Sequence, residues 1–226
     1  MYHQVGPHRP GSRLNKWRVP EPLFARHLDL LSRLGYRGVA LRDLLEEPGG
    51  REKRAVLTFD DGFEGVLTRA LPLLTARGFG ATVFVVAGKL GGTNDWDDER
   101  PGEPLLSAEG VRALHAAGVE IGSHGLLHRA LPGLDDAALA EETRASRARL
   151  EETTGAAVTS FCYPYGAFDD RSAAAVRDAG YRAATVIRSG IPRDLSDPFR
   201  LRRVPVRGTD PLLDLRLALT RGRSKF

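Results

Sequence analysis

The sequence of 226 residues contains a single cysteine, Cys162, so no internal disulfide can form. A chain without disulfides fits a reducing compartment, and a cytoplasmic protein is expected. Long apolar runs are also missing. Nothing approaches the roughly 20 apolar residues a membrane span needs, and no span is expected. The opening stretch, MYHQVGPHRPGSRLNKW, has no apolar core of the kind a secretory leader carries. Lysine occurs only at positions 16, 53, 89 and 225, so the net charge of +4 is carried by arginine. Those arginines are scattered over the polar faces of predicted helices, without interleaved aromatics, which argues against a nucleic-acid partner. No second composition regime interrupts the chain, and residues 1–226 are read as one domain.

What is present is a recurring punctuation. Helical runs end in Gly and an apolar, strand-like run follows at once, as in LLSRLGYRGVAL, LLTARGFGATVFVV and VRDAGYRAATVI. Glycine just past a helix end supplies a left-handed cap. The pattern predicts strands near 37–41, 54–59, 80–87, 118–122, 158–162, 182–187 and 201–206. It places helices near 21–34, 64–77, 107–117, 135–153, 169–179 and 210–219. Alternation of this kind implies βα units and a largely parallel sheet. The expected fold is α/β, a closed or nearly closed βα barrel, with an open doubly wound sheet as the alternative. Residues 88–106 lack periodicity and read as a long loop at the strand ends, a common place for function.

Two motifs follow predicted strands. AVLTF (55–59) runs into Asp60-Asp61-Gly62, two adjacent carboxylates that repel unless a cation or a proton relieves them. The competing reading is an Asx-type turn capping the next helix. VEIG (119–122) runs into Ser123-His124-Gly125-Leu126-Leu127-His128, whose histidines can converge on one metal if the segment makes a helical turn. The competing reading there is a surface histidine pair. Taken together, two histidines and a carboxylate at the same end of a parallel fold are the donor set of a catalytic zinc site, with one aspartate spare as a base. A third landmark, Phe161-Cys162-Tyr163-Pro164-Tyr165-Gly166, forms a rigid turn whose backbone N–H groups could stabilise an oxyanion. Cys162 reads as a buried thiol, not a nucleophile. Trp96, in Asn94-Asp95-Trp96-Asp97, reads equally as a sugar-stacking platform or as a loop anchor.

These residues resemble the polysaccharide deacetylases of carbohydrate esterase family 4. Thr58-Phe59-Asp60-Asp61-Gly62 matches the family's TFDDG motif. His124 and His128 match its H-[ST]-x-x-H motif except at Gly125, and Cys162-Tyr163-Pro164-Tyr165-Gly166 resembles its third motif, often RPPYG. The resemblance runs from about residue 55 to 205. It implies a distorted seven-stranded (β/α) barrel, with Asp60 as general base and Asp61, His124 and His128 as ligands of a divalent metal. Zinc is the first expectation, with Co2+, Ni2+ or Mn2+ as substitutes. It further implies that the Tyr165 N–H forms part of an oxyanion hole, and that the substrate is an N-acetylated sugar or oligosaccharide.

The sequence departs from the family in three places. Gly125 cannot make the side-chain hydrogen bond that steadies the histidine loop. Cys162 stands where many members place an arginine that pairs with the base. No Leu-x-His motif supplies a late histidine. These departures resemble the branch of the family bearing an FxYPYG third motif. In RLRRVPV (200–206), strand alternation puts Leu201, Arg203 and Pro205 on one face, so Arg203 is expected to replace the missing arginine at Asp60; an outward, solvated Arg203 is the alternative. Tyr2-His3 resembles the branch's first-strand signature, which makes His3 a candidate acid or a support for a ligand. Either that strand is very short or the true start lies upstream. A hydrolase of a non-sugar amide or ester, or an inactive carbohydrate-binding module, remains the alternative function.

Overall fold

The computed structural model describes residues 1–47, 51–97, 102–192 and 195–222. At its centre is a parallel sheet of five strands in the order β5 (Thr58–Phe59), β6 (Thr82–Val85), β7 (Glu120–Ser123), β8 (Ser160–Cys162) and β9 (Ala183–Thr185). Helices cover its outer face: α1 (Glu21–Arg33), α3 (Leu71–Thr75), α4 (Ala108–Ala116), α5 (Asp136–Ala140), α6 (Ser146–Thr154) and α7 (Asp170–Asp178). Gly155 ends α6 in the left-handed region, at φ 68°, as the glycine punctuation requires. α8 (Leu212–Arg221) packs against α1.

The strands of the central sheet number five. The predicted strand over 54–59 divides at Leu57. Its first half, β4 (Lys53–Val56), pairs with β3 (Tyr36–Val39) in a separate two-stranded sheet, and its second half is β5. The strand predicted at 201–206 shrinks to one bridge, Thr185 with Leu201, since Pro205 has no N–H to extend a ladder. At the opposite edge Tyr2 bridges Phe59. Two backbone hydrogen bonds then connect these edges, Met1 N to Val204 O at 3.0 Å and Val206 N to Met1 O at 2.9 Å. Sequence reading missed α2 (Leu41–Glu46) and the short pair β1 (Gln4–Val5) and β2 (Arg18–Val19), which are too brief to carry a periodic signal.

Side chains alternate across the sheet with period two. Phe59, Val83, Val85, Ile121, Phe161 and Ala184 point outward into the main core beneath the helices. Phe84, Cys162, Ala183 and Leu201 belong to a second, smaller cluster on the inner face. There the buried carboxylate of Glu120 accepts from the hydroxyls of Thr82 and Ser160, which satisfies all three. Asp60, His124 and Arg203 continue the inner face at the C-terminal strand ends. The fold therefore delivers polar groups to one mouth of a curved sheet.

Candidate metal centre and active site

Asp60 and Asp61 follow the end of β5, and both line one pocket. Asp60 keeps the inward phase of the strand, whereas Asp61 takes a left-handed backbone, φ 73°, that swings its carboxylate across the mouth. His128 (φ 61°) and Tyr165 (φ 57°) share this conformation. Among the described residues these three are the non-glycine residues with positive φ, and all three line the same pocket. Such a backbone is held only where its surroundings over-determine it, and strained positions of this kind cluster at ligand clamps.

Asp61 Oδ1 lies 3.3 Å from His124 Nε2 and 3.4 Å from His128 Nε2. Tetrahedral zinc with bonds of about 2.0–2.1 Å separates neighbouring ligand atoms by about 3.3–3.4 Å, so these spacings fit the ion. His124 Nδ1 donates to the carbonyl of Cys162 at 2.7 Å. A carbonyl only accepts, so Nδ1 carries a proton and Nε2 is the ring nitrogen turned to the carboxylate, where a proton or a metal ion can sit between them. A second cluster, Asp60 with His124 and Cys162, has its carboxylate already engaged elsewhere.

That engagement is with Arg203. Its guanidinium donates to both oxygens of Asp60, at 2.6 and 2.8 Å, and to Thr58 Oγ1 at 3.0 Å. It also lies 3.1 Å from Cys162 Sγ. Burial works to raise the Asp60 pKa, but the charge and hydrogen bonds of Arg203 outweigh it and hold the carboxyl below its ordinary range. Asp61 is likewise held far down, since hydrogen bonds from His124 and His128 overcome burial. Burial opposes a charged His124, yet Cys162 and Asp61 together push its pKa well up; burial keeps that of His128 below normal.

His3 lines the same pocket, its ring 4.5 Å from that of Trp17, with Nδ1 buried and unpartnered. Burial lowers its pKa despite the nearby Asp61 and Asp60 carboxylates. Trp96 stacks on His128 at 4.3 Å and Tyr165 meets the same ring edge-on at 4.5 Å. Trp96 is thus packed on a ligand-type histidine and also forms a wall of the pocket, which has a volume of about 150 Å³. Trp17 and Glu103 line it too, though neither was singled out in the sequence. Glu103 accepts from Gln4, Arg9 and Arg18, partners about ninety residues away that no local pattern reveals. A larger apolar cavity of about 310 Å³, walled by Leu31, Leu41, Val56, Leu201 and Leu215, is also bordered by Thr58 and Arg203.

Residues 48–184 match the family described as polysaccharide deacetylase. YxkH of Bacillus subtilis (strain 168), whose name assigns it provisionally to the polysaccharide deacetylases, is 25% identical over 210 residues, 91% of this chain and 70% of its own. Among solved structures, IcaB from Ammonifex degensii superposes with a TM-score of 0.81 at 27% identity, covering 97% of this chain and 93% of IcaB. The Streptococcus pyogenes deacetylase PplD, solved in complex with acetate, gives a TM-score of 0.82 at 18% identity and shares the fold over 96% of this chain and 95% of its own.

Proposed function

The chain belongs to the polysaccharide deacetylase family, and from that premise we propose that it is a metal-dependent hydrolase removing N-acetyl groups from an amino sugar or oligosaccharide. The observation that carries this reading is the convergence of Asp61, His124 and His128 beside an independently charge-paired Asp60. Asp61, His124 and His128 would hold a divalent ion, with zinc favoured by the donor set. When bound, the ion supplies Lewis acidity, polarising a carbonyl and lowering the pKa of water to about 7.

The remaining tasks fall to the chain's own groups. Asp60, kept anionic by Arg203, takes a proton from the attacking water. The Tyr165 N–H donates to the oxygen on which negative charge develops. His3 stands as proton donor to the leaving amine; burial keeps it neutral at rest, so it must acquire the proton released through Asp60. Acetate and a free amine result. Trp96 and Tyr165 give the pocket aromatic walls suited to a sugar ring. The bridges at Tyr2 and Leu201 support a reading of two further staves that would make a distorted seven-stranded barrel, and the run Phe161–Gly166 supports membership of the FxYPYG branch.

The test joins calorimetry with acetate release. Metal-stripped wild type should bind one zinc tightly and His128→Ala should not. Asp60→Asn should retain zinc while turnover on N-acetylated sugars falls by a factor on the order of 10² to 10⁴. Wild-type turnover in Asp60→Asn would remove it as the base.

A further inference from the structure

Between the two histidines the chain lacks the Ser or Thr side chain expected at position 125, yet the segment is held. The holder is a carboxylate from another element. Residues Glu141–Ala145 form a single π-helical turn between α5 and α6, and such bulges often sit at functional sites. Glu142, fully buried in this turn, reaches across to the histidine segment. Its Oε2 accepts from Leu126 N at 2.9 Å, and the N–H of Leu127 is shared between Oε1 at 3.1 Å and Oε2 at 3.2 Å. Both side-chain partners are main-chain groups lying between His124 and His128.

Gly125 is complementary to this arrangement. Its φ is 80°, and a Cβ there would stand 2.5 Å from Glu142 Oε2. The space that a side chain at 125 would fill is occupied by the Glu142 carboxylate. The Gly125 N–H donates instead to Ser123 Oγ at 3.2 Å, and Ser123 Oγ donates to Ser146 Oγ, one helical turn beyond Glu142, at 2.9 Å. A buried carboxylate satisfied by backbone N–H groups fixes the path of the chain that supplies them.

We propose that Glu142 is a positioning residue for the metal centre, replacing from the π turn the loop support that the sequence omits at position 125. Glu142 is not among the residues lining the pocket; it acts through the backbone that leads to His128. This rests on the reading of Asp61, His124 and His128 as metal ligands.

The decisive experiment uses the full chain as wild type, Glu142→Gln and Glu142→Ala. Zinc affinity is measured by calorimetry on metal-stripped protein, and amide hydrogen exchange is followed at Leu126 and Leu127 in the metal-free state. Glu142→Ala should weaken zinc about 10–100-fold, the usual effect of losing an outer support, and should speed exchange at those two amides. Glu142→Gln keeps one acceptor oxygen and should fall between. Should the Ala variant fail to fold, the near-isosteric Gln variant carries the same two readouts. Unchanged exchange at Leu126 and Leu127, or wild-type zinc affinity despite faster exchange, overturns the proposal. A wild type that binds no zinc removes the metal centre and this role with it. In that case faster exchange in the variants would still show that Glu142 holds the segment, which separates the two failures.

Discussion

Arg203 and Asp60 form a buried ion pair, and the consequences of breaking it run in two directions. Removing the guanidinium leaves an uncompensated carboxylate, which typically destabilises by about 3–5 kcal/mol. It also lets burial dominate, so the Asp60 pKa rises from its depressed value. With Asp60 in its proposed role as base, protonation then comes at higher pH, and the acid limb of kcat/KM for Arg203→Met should move upward. An unchanged pH–rate profile in that variant would separate Arg203 from catalysis. Arg203 was legible because one residue of strand-like alternation, Leu201 to Arg203 to Pro205, decides inward from outward. Asp61 and His124 were legible as candidates because they come within two residues of a strand end, and His128 because it lies four residues after His124. Glu103 and Glu142 were not, since their partners come from distant elements and a lone glutamate on a polar helix face looks like a solvated one. For Glu142 the available signal was Gly125 itself, a gap in a motif that some other group had to fill.

At the scale of elements, the inner face depends on a glycine opposite a phenylalanine. A Cβ on Gly122 in β7 would stand 2.6 Å from the Phe84 ring and 3.1 Å from Ser160 O. Gly122→Ala should therefore overpack the inner cluster and destabilise by about 1–3 kcal/mol, read as a lowered Tm. Equal stability would mean that β6 and β7 can move apart at little expense. Helix and strand positions were readable from the sequence because capping glycines mark where one element stops and the next begins. The interruption of the long 135–153 helix by a π turn was not readable. It adds one residue to a turn without altering composition, and only its outcome, an inward Glu142, betrays it.

For the molecule as a whole, α1 contributes a pH-sensitive contact. His27 is buried beside Tyr2, with its Nδ1 3.4 Å from the tyrosine hydroxyl. Burial, aided by the charge of Arg26, lowers its pKa to about 4. The unfolded chain binds this proton near its ordinary value of about 6.5, so stability from the neutral ring is complete above that pH. It declines as pH falls from about 6.5 to 4 and is gone below, a contribution of about 3 kcal/mol at most. Urea unfolding at pH 7, 5.5 and 4 should show this decline, and His27→Phe should flatten it; an equal slope in the variant would place the titration elsewhere. The parallel βα architecture was readable from alternation, whereas the seam where Met1 meets Val204 and Val206 depends on two hydrogen bonds across the length of the chain. The chain has two tryptophans, and both rest against histidines of the pocket, Trp96 on His128 and Trp17 on His3. Imidazolium and bound cations quench or shift indole emission on contact, so tryptophan fluorescence should report protonation, and any cation taken up, in that one small volume.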